Sequence, residues 1–336
     1  DSDLLRKVFE DVVCGCMKAG LVGGEGFAVD ASVIEADASR FQRVKGSEVD
    51  WTQEQRNSRP VQEYLNALES DNPPINPDQK PKAMSPSDPT AAWTTRGRHK
   101  VMFGYSLNYL MDMEGAVIVD VEATPTRISK EVDATEIMLE RTEDRFGLKP
   151  GRIAGDVAYG TGEMLGWLVE RKIDPHIPVW DQSKVAPEGK FTRADFTYDK
   201  DRDVYTCPDG NLLTTSGRVD KTSTLKYLAK RSDCAKCPLK SKCTTGRERR
   251  VSRDVNQDAR DYTQTLMETD AYVSSSIQRK QIERLFGEAK HLHAMVRLRL
   301  RGLSGAKDEF LLTATIQNLK RLASIVSLPP PRTAIA

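Results

Sequence analysis

One stretch of charged residues near the end of the chain has the spacing of a functional helix face. At about 100° per residue, Arg279, Glu283 and Lys290 fall within roughly 40° of one another on a helix. An apolar stripe borders them and consists of Ile282, Leu285, Phe286 and Ala289. A carboxylate between two cations beside a core suits metal and phosphate, although a solvated ion-pair row on a surface helix has the same pattern.

A second acid in this stretch, Glu288, falls on the far side of the predicted helix. Its spacing from Arg284 is that of an ordinary exposed i,i+4 ion pair. We therefore expect Glu283, and not Glu288, to carry chemistry.

Two further acids lie in apolar segments that are typical of strands. Asp30 belongs to the segment 26–34, and Asp156 belongs to the segment 152–160. An acid in an apolar strand is costly unless it is paired or binds a metal ion. Asp30 could instead be a turn residue at a strand end, and Asp156 could cap the following turn.

The periodicity along the chain predicts an α/β fold, a mixed sheet flanked by helices. Apolar spacing predicts a helix at 4–18, and alternation predicts a strand at 101–111 that pairs with a return strand at 116–121. Further segments follow as a helix at 132–146, a strand from 152, a helix at 163–171 and a strand at 175–179. The order βββαβαβ is that of a mixed sheet with a crossover.

The chain is expected to contain one main domain with an insertion. The predicted parts are an N-terminal helical remnant (1–26), a first core part (27–180), an insertion (181–255), C-terminal core helices (256–328) and a tail (329–336). Within the first part, the proline-containing segment 40–95 predicts a mostly extended linker, with a short helix at 61–68.

The insertion contains four of the six cysteines, namely Cys207, Cys234, Cys237 and Cys243. One thiol followed by a group of three indicates a metal centre more than disulfides in a protein expected inside the cell. A structural zinc site would stabilise an insertion with little core of its own. A [4Fe-4S] cluster takes the same ligands, and unligated cysteines remain a third interpretation.

Basic residues lie close in the sequence to the third and fourth of these thiols, Cys237 and Cys243. They include Lys240, Lys242, Arg247, Arg249 and Arg250. This cluster predicts a surface for DNA backbone phosphates, or it is simply a solvated face. Since the formal net charge is only +1, nucleic-acid binding must come from such local patches.

Composition indicates a protein with a core of its own and argues against a membrane-spanning protein. The chain has 336 residues, 38% hydrophobic and 29% charged, which is enough for a sizeable core. Because no apolar run reaches the roughly 20 residues of a membrane span, we expect a cytoplasmic protein without a membrane partner.

Together, these residues resemble the DDE transposases of bacterial insertion sequences. The similarity rests on Asp30, Asp156 and the pattern Arg279-x3-Glu283-x6-Lys290, and it extends from Phe27 through nearly the whole chain. Other matching features are Ser87-Asp88-Pro89, the four-cysteine insertion, Arg299-Leu-Arg-Gly-Leu and Gln317-Asn-Leu-Lys-Arg-Leu. The family's late helix also carries a tyrosine, where this chain has Ser276 with Tyr272 nearby.

The resemblance implies an RNase H-like fold and metal-dependent cleavage and joining of DNA strands. It implies that Asp30, Asp156 and Glu283 hold two Mg²⁺ ions, with Asp30 between them, while Arg279 and Lys290 grip phosphate. The expected partner is double-stranded DNA, bound by a homodimer associated with the nucleoid. An inactive DNA-binding remnant, or a nuclease that cuts without joining, are the alternatives.

Overall fold

The computed structural model describes residues 2–69, 81–96, 100–126, 128–181 and 187–326. The chain forms two compact units. The first consists of Asp1–Ala158 and Asp270–Ala336, and the second is Tyr159–Thr269. The predicted tail 329–336 lies outside the described residues.

The first unit is built on a mixed sheet centred on a long strand. Its strands are β1 (Gly26–Glu35), β2 (Ala92–Arg96), β3 (Lys100–Asp112), β4 (Ile118–Pro125) and β5 (Arg152–Ala154). β3 pairs antiparallel with β1 along one edge and with β2 and β4 along the other. β5 then pairs parallel with β1, as expected after a crossover helix.

Four helices of the first unit precede the second unit in the chain. They are α1 (Ser2–Lys18), α2 (Gln53–Arg56), α3 (Arg59–Glu69) and α4 (Ile128–Phe146). The predicted helix at 61–68 is confirmed as α3, but the prediction that 40–95 is mostly extended missed α2 and the strand β2. The sequence of that strand is Ala-Trp-Thr-Thr-Arg. It has few apolar residues, so it lacks the alternation that predicts a strand.

The second unit has a small antiparallel sheet of its own. After α5 (Gly162–Glu170) and β6 (Asp174–His176) come β7 (Thr197–Asp199), β8 (Val204–Thr206), β9 (Leu212–Val219), β10 (Thr224–Ala229) and β11 (Arg250–Asp254). The last five strands are ordered β11-β10-β9-β8-β7. The short helices α6 (Arg231–Lys236) and α7 (Lys240–Cys243) carry cysteines, and α8 is Gln257–Leu266.

Two long helices complete the first unit, α9 (Asp270–Leu292) and α10 (Gly302–Val326). The predicted apolar stripe of α9 is buried and belongs to the core that also covers β1 and β3. Within this core the rings of Phe286 and Tyr109 stack at 4.9 Å between centroids. Because Tyr109 is the direct cross-strand partner of Asp30, this stack fixes α9 beside Asp30.

The predicted mixed α/β architecture is confirmed, while the RNase H-like assignment remains a prediction. Among the described residues, no helix has the length and apolar character needed to cross a membrane.

Candidate active site and thiol cavity

Asp30 lies in β1, and Asp156 lies two residues beyond the end of the neighbouring parallel strand β5. β1 and β5 pair Ala28 with Ala154, and each aspartate follows its alanine by two residues. The charge of Asp156 contributes to the raised pKa of Asp30, which indicates that the two acids lie near each other. The sheet thus joins two acids that are far apart in the sequence.

The Asp30 carboxylate is largely removed from water, with its side chain 19% exposed. It accepts hydrogen bonds from the Ala31 N–H at 2.8 Å and from Arg279 Nη1 at 3.3 Å. Burial raises its pKa to about 6, Arg279 acts against that rise, and the charges of Asp156 and Glu283 add to it. The removal of the carboxylate from water is therefore the main reason for its raised pKa, and the two acids contribute less.

The charged row of α9 consists of Arg279, Glu283 and Lys290. This row lies on the side of β1 that carries Asp30. Arg279 Nη2 lies 3.7 Å from Glu283 Oε1, and the Glu283 side chain is 59% exposed. About two helical turns after Glu283, Lys290 Nζ donates to Ser32 Oγ at 2.5 Å. Because Ser32 follows Asp30 by two residues, both side chains lie on the same face of β1. The charged row of α9 therefore contacts this face at both residues.

Asp156 has a second acidic neighbour, Glu131, which the sequence analysis missed. Glu131 lies in the first turn of α4 and accepts a hydrogen bond from Ser106 Oγ at 2.7 Å. Burial raises the pKa of Glu131, and the charge of Asp156 adds to the rise. An acid in the first turn of a helix is a common stabilising feature, so its sequence position gave no special signal.

Glu288 lies away from this row, as predicted, but its expected pairing with Arg284 is wrong. Its carboxylate pairs with Lys320 of α10, and His293 Nε2 lies 3.5 Å away. Packing of α10 beside α9 brings this closer cation to Glu288.

As placed, the described side chains of His, Cys, Asp and Glu form no group of three that could hold a metal ion.

In the second unit, the four predicted cysteines line a single cavity of about 20 Å³. All four are free and half-buried. Cys207 opens a tight turn in which the Gly210 N–H donates to its carbonyl at 2.8 Å, and Gly210 has φ +81°. A similar turn follows Cys237, where the Lys240 N–H donates to the Cys237 carbonyl at 3.3 Å.

Residues 206–323 match the family model of the transposase DDE domain. The match supports a DDE transposase. The matched range contains the four cysteines and α9 with Glu283, whereas Asp30 and Asp156 precede it. A domain of this kind implies DNA as the partner and, in general, divalent metal ions as cofactors. No curated protein and no solved structure matches the chain.

The basic residues of the second unit predicted to contact DNA have unequal surroundings. Lys242 and Arg250 are exposed, although Arg250 pairs with Glu248 at 3.0 Å. Lys240 is half-buried and lines the thiol cavity, as does Arg249. The Arg249 guanidinium is occupied inside the unit, so the structure lends no support to a phosphate contact there.

Tyr272 and Ser276 are hydrogen-bonded to each other one turn apart on α9, and Arg279 lies near the tyrosine. Burial raises the pKa of Tyr272. Both hydroxyls therefore continue the row formed by Arg279 and Glu283 toward the start of the helix.

Proposed function

We propose that this protein is a DDE transposase that cleaves DNA at transposon ends and joins them to target DNA. The proposal is supported above all by the meeting of the Asp30 region of β1 with the charged row of α9. The family match to 206–323 supports it independently from the other end of the chain.

Asp30, Asp156 and Glu283 would hold two Mg²⁺ ions. Carboxylate oxygens are the ligands that Mg²⁺ prefers, and the charges of Asp156 and Glu283 both act on the buried Asp30 carboxyl. When bound, the ions supply activation of water or a 3′-hydroxyl and stabilisation of the leaving oxygen.

The remaining residues of the row serve to position DNA. Arg279 bonds Asp30 and stands beside Glu283, so it can orient both acids and face a phosphate. Lys290, which is held at Ser32, offers a second cation farther along the same strand face. No covalent nucleophile from the protein is needed.

Incubation of the full chain with a supercoiled plasmid that carries the element's own ends tests this function. The account predicts nicking or cutting at the ends with Mg²⁺ and none with a chelator, followed by joining to a second plasmid. Cutting without joining would favour a nuclease, and DNA binding without cutting would favour an inactive remnant.

We propose in addition that Cys207, Cys234, Cys237 and Cys243 hold one structural zinc ion. Their shared cavity supports a common centre, and four thiolates are a common ligand set for structural zinc. Elemental analysis of protein purified with and without oxygen tests this: one zinc per chain is expected, whereas stoichiometric iron with labile sulfide would indicate a [4Fe-4S] cluster.

A further inference from the structure

Arg249 is a cation enclosed beside the four cysteines. Its Nη1 donates to the Cys243 carbonyl at 2.8 Å, and its Nη2 donates to the Phe191 carbonyl at 3.2 Å. The guanidinium carbon lies 5.0 Å from the centre of the Phe196 ring. Its own carbonyl accepts from the Ala229 N–H at 3.1 Å, so both main chain and side chain are fixed.

One N–H donor of this guanidinium is unpaired within the described part of the chain. Arg249 Nε is buried and has no hydrogen-bond partner there. A buried N–H without an acceptor is costly, and such a group in a native protein calls for an explanation. Arg249 lines the same cavity as the four cysteines, although no sulfur atom accepts a hydrogen bond from its Nε as placed.

The negative charges around the cavity would be stabilised by a nearby cation. Four thiolates on a divalent ion carry a net charge of about −2. Asp233 also lines the cavity, and Asp209 lies near Cys237. Two cations oppose these charges, the half-buried Lys240 and the enclosed Arg249, whose field also reaches Asp195.

We propose that Arg249 is a positioning residue of the four-cysteine centre. Its charge would offset that of the metal-bound thiolates, and its unpartnered Nε–H would donate to a thiolate sulfur once the metal is bound. The inference rests on the proposed zinc centre, and it gives Arg249 a role in metal retention where the sequence suggested a contact with DNA.

Metal affinity in the full-length chain measures this role. Zinc is titrated against a competing chelator in the parent, Arg249→Met and Arg249→Lys. Removing an outer partner of a metal ligand typically weakens binding 10- to 100-fold, so we expect a loss of about that size for Arg249→Met. Arg249→Lys retains the charge and should lose less.

Arg250→Met is the matched control. This neighbouring arginine is exposed, pairs with Glu248 and is not among the residues that line the cavity. Its affinity for zinc should stay within about twofold of the parent.

A cobalt spectrum separates the proposed role from simple packing. A donor to thiolate sulfur raises the energy of the sulfur-to-cobalt charge-transfer band, so Arg249→Met should move this band to lower energy. Parent-like affinity and an unmoved band in Arg249→Met would overturn the inference, as would equal losses in the Lys and Met variants. If the parent itself bound neither zinc nor cobalt, the zinc centre would fail and the inference with it.

Discussion

Asp30 illustrates how the fold creates a chemical group that the sequence only suggests. Burial in the strand raises the pKa of its carboxyl to about 6, and the charges of Asp156 and Glu283 add to this rise. A doubly charged cation reverses this balance, because it favours the ionised carboxylate. At this scale, the burial of Asp30 and the charges of Asp156, Glu283 and Arg279 together support the proposed metal site.

Replacing Glu283 by Gln removes a proposed metal-binding charge and preserves size. We expect DNA cleavage to fall by about 100-fold or more, while the free energy of unfolding changes by less than about 0.5 kcal/mol. Plasmid cleavage with Mg²⁺ and denaturant titration measure the two quantities.

Glu288→Gln is its control on the same helix. The change costs at most about 1 kcal/mol through the loss of the pair with Lys320, and cleavage should stay near the parent rate. The reverse result, with Glu288 essential and Glu283 dispensable, would contradict the assignment of the helix face.

The burial of Asp88 predicts that the free energy of unfolding depends on pH without any metal ion being involved. It is fully buried and accepts a hydrogen bond from the Tyr105 hydroxyl at 2.6 Å. Burial raises its pKa from 3.8 to about 6, so its neutral form favours the folded protein. This contribution is complete below about pH 4 and is lost as the pH rises through 6, a difference of about 3 kcal/mol.

Asp88→Asn cannot ionise and should escape this loss. The unfolding free energy of the variant minus that of the parent should therefore rise by up to about 3 kcal/mol between pH 4 and pH 8. Denaturant titrations across this range measure the difference, and a flat or falling profile would show that Asp88 ionises freely in the fold.

At the scale of elements, α9 depends on the ring of Phe286 stacked against Tyr109. Phe286→Ala should lower the free energy of unfolding by about 3–5 kcal/mol, because it opens a cavity in the core beside Asp30. Ile277 on the same helix is 62% exposed, so Ile277→Ala should cost no more than about 0.5 kcal/mol. Similar losses in both variants would mean that this stack does not hold the helix.

The strong periodic segments of the chain could be predicted, and the partners of individual charges could not. The α9 stripe and the acids of the apolar strands stand out because position on a helix or strand follows from local sequence. Arg249 does not, because its surroundings include Phe191 and Phe196, more than 50 residues earlier. The pairing of Glu288 with Lys320 likewise depends on how α9 and α10 pack.

Over the whole molecule, the two units have separate cores, and the thiol cavity lies in the second. Since a structural metal stabilises the part that binds it, a zinc chelator should speed amide exchange around Cys207 and residues 234–243. Exchange of the buried stripe of α9 should stay unchanged. Mass spectrometry of the full chain measures both regions, and Cys207→Ser should reproduce the effect without chelator; protection that is equal with and without zinc would contradict the structural role.

The central claim is that Asp30, Asp156 and Glu283 meet around metal ions. Anomalous diffraction from crystals soaked with Mn²⁺, which takes the same oxygen ligands as Mg²⁺, tests it most directly. The account predicts one or two manganese peaks, about 4 Å apart when two are present, in contact with all three carboxylates. Peaks at other acids, or saturating Mn²⁺ with these three carboxylates unliganded, would contradict it.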